Sequence, residues 1–132
     1  MRRRDQARNA LQLPTEAELE ILNILWARGP STVRDVHTLS SKDTGYTTVL
    51  KQMQVMAEKG LLERSEQFRS HVYGPRIAKE QTQQRLARNL VQRAFDGSAK
   101  DLVLGALSSQ KVSAAELKEI RELLDKYEKG AR

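Results

Sequence analysis

Apolar residues recur at intervals of three and four along most of this chain, and at intervals nearer two in one short stretch. Ile21, Leu22, Leu25 and Trp26 form the first helical stripe. Pro14 precedes it, Thr15 and Glu18 stand at capping-box spacing, and Gly29-Pro30 stops it. Val33, Val36 and Leu39 follow at i, i+3, i+6, with Ser31 or Thr32 as the cap of a short second helix. Ser40 to Gly45 is a polar turn. Tyr46, Val49, Leu50, Met53 and Ala57 give a third stripe, which Gly60 ends as the residue just past the helix. Three short helices joined by tight turns predict a helix-turn-helix unit.

Past Gly60 the period changes. Leu61 to Ser65 reads as a strand, Gln67 to Ser70 as a turn, and His71, Val72 and Tyr73 as the returning strand, closed by Gly74-Pro75. A two-stranded ribbon behind a helix-turn-helix is a winged helix, and Arg69 falls near the ribbon tip. The remainder is helical. Lys79 to Phe95 carries Leu86, Leu90, Val91 and Ala94 before a break at Asp96-Gly97. Ser98 and Asp101 cap a helix with Leu102, Val103, Ala106 and Leu107. Ser113 and Glu116 cap the last, in which Leu117, Ile120, Leu124 and Tyr127 have the spacing of an interhelical seam. These helices are too few and too thin to close a core alone, so their apolar faces are expected to meet a second copy of the chain. The fold class is mainly α with a small β-wing. Residues 1–76 are expected to form a winged helix-turn-helix domain with a basic N-terminal arm, and residues 77–132 a helical dimerisation domain.

The third helix has a second face. At about 100° per residue, Thr47, Thr48, Lys51 and Val55 point away from the apolar stripe. That face offers hydroxyls and one lysine, and no carboxylate until Glu58. A helix face chosen for solubility would mix in acidic residues, whereas one pressed against phosphates and base edges excludes them. The expected DNA contacts are Thr44, Tyr46, Thr47, Thr48 and Lys51, with Arg69 from the ribbon. His71, also in the ribbon, is a further candidate for a phosphate. Arg2, Arg3 and Arg4 form an arm that either follows DNA or stays free of it.

Composition narrows the alternatives. At 132 residues the chain is one domain or two small ones. Its net charge of +6 and pI near 9.8 permit nucleic-acid binding without locating it. Residues 1–76 hold 12 Lys/Arg against 9 Asp/Glu, and residues 77–132 hold 11 against 8, so each part carries +3. There is no cysteine, and His37 and His71 are far apart in sequence, so neither a metal site nor a cofactor is expected. No apolar run approaches the roughly 20 residues of a membrane span, and no apolar segment follows Arg2–Arg4 as in a secretory signal, so a cytoplasmic protein without membrane contact is expected. Neither a nucleophile-and-base constellation nor a glycine-rich phosphate loop is present, which argues against an enzyme. A winged-helix module for protein or RNA is the alternative to a duplex-DNA binder.

The segments Leu13-Pro14-Thr15-Glu16-Ala17-Glu18-Leu19-Glu20-Ile21-Leu22 through Trp26, Val33-Arg34-Asp35-Val36, Gly45-Tyr46-Thr47-Thr48-Val49-Leu50 and Lys59-Gly60-Leu61-Leu62 carry a resemblance. From Leu13 onward the sequence resembles the penicillinase-repressor family, the BlaI/MecI group of winged-helix transcriptional repressors. That resemblance implies a homodimer on a pseudo-palindromic operator, repressing nearby genes. In the best-known members those genes serve β-lactam resistance, and a sensor-transducer protease triggers cleavage of the repressor. The chain departs from the pattern twice. It lacks the cysteine-rich tail of copper-responsive relatives. It also has no Asn-Phe pair, at which the resistance repressors are cut, and Gly105-Ala106 stands near that place. A sensor protease or another inducer is the partner such a resemblance implies.

Overall fold

The computed structural model describes residues 13–40, 43–67 and 69–131; the arginines at 2, 3 and 4 and part of each turn at 40–45 and 67–70 lie outside them. Among the described residues the chain forms six helices and one two-stranded antiparallel sheet. In order these are α1 (Glu16–Arg28), α2 (Val33–Leu39), α3 (Tyr46–Lys59), β1 (Leu62–Gln67), β2 (Ser70–Pro75), α4 (Lys79–Ala94), α5 (Ala99–Ser109) and α6 (Ala114–Gly130). The chain divides into two compact units, the first running to Ala87 and the second from Arg88, so that the boundary falls inside α4.

Local polar chemistry sets the helix ends. Thr15 accepts from the Glu18 N–H at 3.2 Å while its own N–H donates to Glu18 Oε1 at 2.9 Å. Thr32 and Asp35 repeat the reciprocal box on α2, so Thr32 is the cap. Ser31 has another task, donating its hydroxyl to the Gly29 carbonyl at 2.8 Å and pairing through its backbone with Tyr73. Gly60 ends α3 in the left-handed region at φ 88°, with the Leu61 N–H on the Met56 carbonyl at 2.9 Å and the Gly60 N–H on Ala57 at 3.2 Å. This is a Schellman motif, and it turns the chain straight from α3 into the ribbon.

The core of the first unit lies between α1, α2, α3 and the base of the ribbon. Ile21, Leu22, Leu25, Val33, Val36, Val49, Met53, Met56, Leu61, Leu62 and Tyr73 are all buried. Ile24, Trp26, Leu50, Ala57 and Ile77 pack around them, and the Trp26 indole N–H donates to the Ile77 carbonyl at 3.0 Å. Three expectations are corrected. Tyr46 is 44% exposed, because it occupies the first turn of α3, beyond the core; the inner face runs Val49, Met53, Met56 instead. Leu39 is 52% exposed, because it is the last residue of the short α2 and overhangs the core. Both strands reach further toward the tip, to a Gln67–Ser70 pair, which leaves only positions 68 and 69 between them.

The second unit is built differently. None of the described residues of α5 or α6 is buried. Leu90, Val103, Leu104, Leu123, Leu124 and Tyr127 are exposed, whereas Leu102, Leu107, Leu117 and Ile120 are half-buried. Ser98 and Ser113 cap α5 and α6, accepting from the N–H of Asp101 and Glu116, each at 3.1 Å.

The core of the first unit gives a direct check. Leu25 is fully buried, so Leu25→Ala leaves a cavity and is expected to destabilise the fold by about 2–5 kcal/mol. Leu39→Ala, at an exposed position, is expected to cost less than about 1 kcal/mol. Thermal melts of the two variants test the contrast.

Candidate nucleic-acid interface

Two requirements act on α3 together. Its inner side chains Val49, Met53 and Met56 are at most 1% exposed and fix the rotation of the helix on the core. That rotation turns Tyr46, Thr47, Thr48, Lys51, Gln54 and Val55 outward. The outward face runs for three turns without a carboxylate and reaches Glu58 only in the last turn.

Lys59, also in that last turn, does not belong to the open face. Its ammonium sits 2.9 Å from Glu18 Oε2 in the first turn of α1. Burial alone would push the Glu18 carboxyl up, but the Thr15 backbone N–H and the Lys59 ammonium outweigh burial and hold it below its ordinary 4.5. The pair thus binds the C-terminal end of α3 to α1. A second pair, Arg28 with Asp35 at 3.5 Å, joins the end of α1 to the start of α2. It is largely exposed, and its worth is correspondingly small.

Two open grooves flank the outward face of α3. One, of about 420 Å³, is lined by Thr15 and Glu18 of the α1 start and by Thr47, Thr48, Lys51, Gln52, Val55 and Lys59. The other, of about 410 Å³, lies between α2, the first turn of α3 and the ribbon. Thr32, Arg34, Tyr46, Ser70 and His71 supply its polar groups. Thus Thr47, Thr48 and Lys51 come together on one groove, and Tyr46 stands across the other from His71. Arg69 is exposed at the ribbon tip with φ 64°, a left-handed conformation that suits the short connection. Thr44 is half-buried, and its carbonyl takes a 2.9 Å hydrogen bond from His37 Nε2. The His37 ring also meets the Tyr46 ring edge-on, with centroids 5.8 Å apart. His37 therefore ties α2 to the turn that leads into α3.

Sequence reasoning did not single out Arg34 or Ser70 as parts of these grooves. The signal for Arg34 is the Thr32–Asp35 capping box, which fixes Arg34 in the exposed first turn of α2. Nothing local brings Ser70 to α2, because that approach depends on the pairing of Tyr73 with Ser31. Among the described residues no three His, Asp or Glu side chains are placed to hold a metal ion, and no helix is long and apolar enough to cross a membrane.

Comparison with known proteins places this geometry in a lineage. The family model described as penicillinase repressor matches residues 14–126. The chain belongs to the penicillinase-repressor family. It is similar to the penicillinase repressor of Bacillus licheniformis, with 23% identity over 115 residues, covering 86% of this chain and 90% of that one. Identity rises to 30% over 118 residues with the transcriptional regulator BlaI of Mycobacterium tuberculosis (strain H37Rv), covering 87% and 85%. With the methicillin resistance regulatory protein MecI of Staphylococcus aureus (strain N315) it is 21% over 114 residues, covering 85% and 93%. As a member of this family the chain is a DNA-binding transcriptional repressor and not an enzyme.

The Glu18–Lys59 contact of this repressor carries a pH signature. The folded carboxyl lies below its unfolded value, so its stabilisation is full above about pH 4.5 and is lost as pH falls through the folded value. Glu18→Gln is expected to lower the melting temperature near neutral pH, with the gap to the parent protein closing below about pH 4.5. Melts across that range check it; a gap that stays constant would assign the loss to packing instead.

Proposed function

We propose that this repressor binds a duplex operator as a homodimer, each copy laying α3 in a major groove with its ribbon against the flanking phosphates. The observation that carries the reading is the three-turn outward face of α3, bare of acid, with Thr47, Thr48 and Lys51 on one groove. Short hydroxyl side chains permit close approach of the helix to phosphates and thymine methyls. Lys51, one turn on, reaches a guanine edge or a phosphate. Tyr46 and Arg69 contact the backbone on the ribbon side, and the Thr44 backbone, held by His37, orients the approach.

Dimerisation is assigned to residues 77–132 and DNA contact to residues 1–76. Support for the first comes from the uncovered faces of α5 and α6, where Leu124 is 54% and Tyr127 76% exposed in the single chain. A second copy is the simplest cover for Leu86, Leu90, Leu102, Val103, Leu107, Leu117, Ile120, Leu124 and Tyr127. The names of the MecI and penicillinase-repressor relatives support a role in antibiotic resistance, exercised in the cytoplasm where the operator lies. Release from the operator falls to a protease partner or another inducer. Gly105-Ala106, in the middle of α5, stands where the family cleavage pair is expected, so a protease specific for Asn-Phe leaves this chain whole.

Operator binding tests the α3 face. Lys51→Ala and Thr48→Ala are each expected to weaken operator binding by roughly 1–3 kcal/mol while leaving the melting temperature unchanged, because both side chains point outward. A Lys51→Ala protein with full affinity and specificity would move the reading surface elsewhere.

The oligomer is tested separately. Sedimentation of the full chain at micromolar concentration is expected to give a dimer. Leu124→Glu, at an exposed position, is expected to shift it toward monomer and to weaken operator binding, since the second half-site is no longer tethered. A monomeric parent protein would end the dimer reading.

A further inference from the structure

One side chain on the outward face of α3 has no polar atom to offer a nucleic acid. Val55 is 37% exposed and lines the groove of about 420 Å³ together with Thr48 and Lys51. Among the described residues that line this groove, it is the one whose side chain is wholly apolar. Helical rotation puts Val55 within about 20° of Thr48 and about 40° of Lys51 around the axis. At about 1.5 Å per residue it lies about 6 Å beyond Lys51 and about 10 Å beyond Thr48.

The fold does not ask for a valine there. Val49, Met53 and Met56 hold α3 to the core from its inner side. β-Branched residues are weak helix formers, and an exposed helical position favours Ala, Lys or Glu instead. Yet Thr47, Thr48 and Val55 are all β-branched, all exposed and all on this one face. The one carboxylate of the groove, on Glu18, is already engaged at both oxygens. Oε1 accepts from the Thr15 N–H at 2.9 Å and Oε2 from the Lys59 ammonium at 2.9 Å. Val55 therefore offers a small apolar spot beside the Lys51 cation, on a surface without an open acid.

In a major groove the base edges present donors, acceptors and a single kind of apolar group, the C5-methyl of thymine. A valine gains nothing from a phosphate, nor from a donor or acceptor that it strips of water. The thymine methyl is the element of a duplex that this side chain can recognise. We propose that Val55 is a specificity-determining residue of this repressor, packing against the C5-methyl of one thymine in each half-site, beyond the base pair nearest Lys51. The proposal rests on the reading of α3 as the DNA-contacting helix, and it gives that helix a base-reading contact that uses no hydrogen bond.

The test uses the full chain and an operator obtained by selection from random duplexes. Each thymine is replaced in turn by deoxyuridine, at the same position of both half-sites. Deoxyuridine keeps every hydrogen-bonding group of thymine and lacks only the methyl. At one position the replacement is expected to weaken binding of the parent protein by roughly fourfold per half-site, the worth of one buried methyl group. Val55→Ala is expected to lose a similar factor on the thymine operator and to be indifferent to that same replacement. The two changes together then cost no more than either alone. The melting temperature of Val55→Ala should not fall, because alanine is the better helix former at an exposed position. Lys51→Ala is the control: it should lose operator affinity and keep the parent's penalty at that thymine. A parent protein indifferent to every deoxyuridine overturns the proposal, as does a Val55→Ala protein that keeps the parent's penalty at every thymine. The α3 reading survives either result provided Lys51→Ala loses affinity. A Val55→Ala protein that melts lower and weakens equally on both operators marks a packing residue, and also overturns it. Full operator affinity in both variants removes the α3 reading and the proposal with it.

Discussion

Two backbone hydrogen bonds join the ribbon to the helices, Ser31 N–H to the Tyr73 carbonyl at 2.9 Å and Tyr73 N–H to the Ser31 carbonyl at 2.8 Å. Both residues are buried, so either bond left unmade would strand a polar group away from water, at a cost of about 1–3 kcal/mol. The approach is close enough to restrict side chains nearby: a Cβ on Gly74 would come within 3.2 Å of Pro30 Cγ. The Gly29-Pro30-Ser31 link between α1 and α2 is thus also the docking strip for β2. The ribbon's share of the candidate DNA side depends on it. The second groove exists because this bridge brings Ser70 and His71 to Arg34 and Tyr46.

The two units solve the burial problem in different ways. The first has three helices and a ribbon base converging on one core, with Met53, Met56, Leu25 and Val36 fully out of water. Burial of each such side chain contributes on the order of 1.5–3 kcal/mol, which suits a unit that closes on its own. In the second, α5 and α6 keep their leucines half-covered or open. In the proposed dimer that face gains its stability on association, so its folding and its assembly are one equilibrium.

Much of this was legible because it is local. A capping box needs a Thr or Ser and a carboxylate three residues apart, and the helix starts at Thr15, Ser98 and Ser113 follow from that spacing alone. The outward face of α3 was legible from its 100° rotation per residue. The inner face was only partly so, since apolar positions at 46, 49, 50, 53, 56 and 57 fit more than one helical stripe. Tertiary contact chose Val49, Met53 and Met56 and left Tyr46 outside against His37. The Lys59–Glu18 pair and the Ser31–Tyr73 bridge join residues far apart in the chain, and no local pattern foretells them.

The separation of faces on α3 has a consequence for how such repressors diverge. The side chains that hold the helix to the core are Val49, Met53 and Met56, and those turned outward are Thr47, Thr48, Lys51 and Val55. The two sets share a helix but no residues. Substitutions on the outer set are therefore nearly free of folding constraint. If that outer set reads the operator as proposed, a duplicated copy of this gene can drift toward a new one, one outward residue at a time, without passing through an unfolded ancestor.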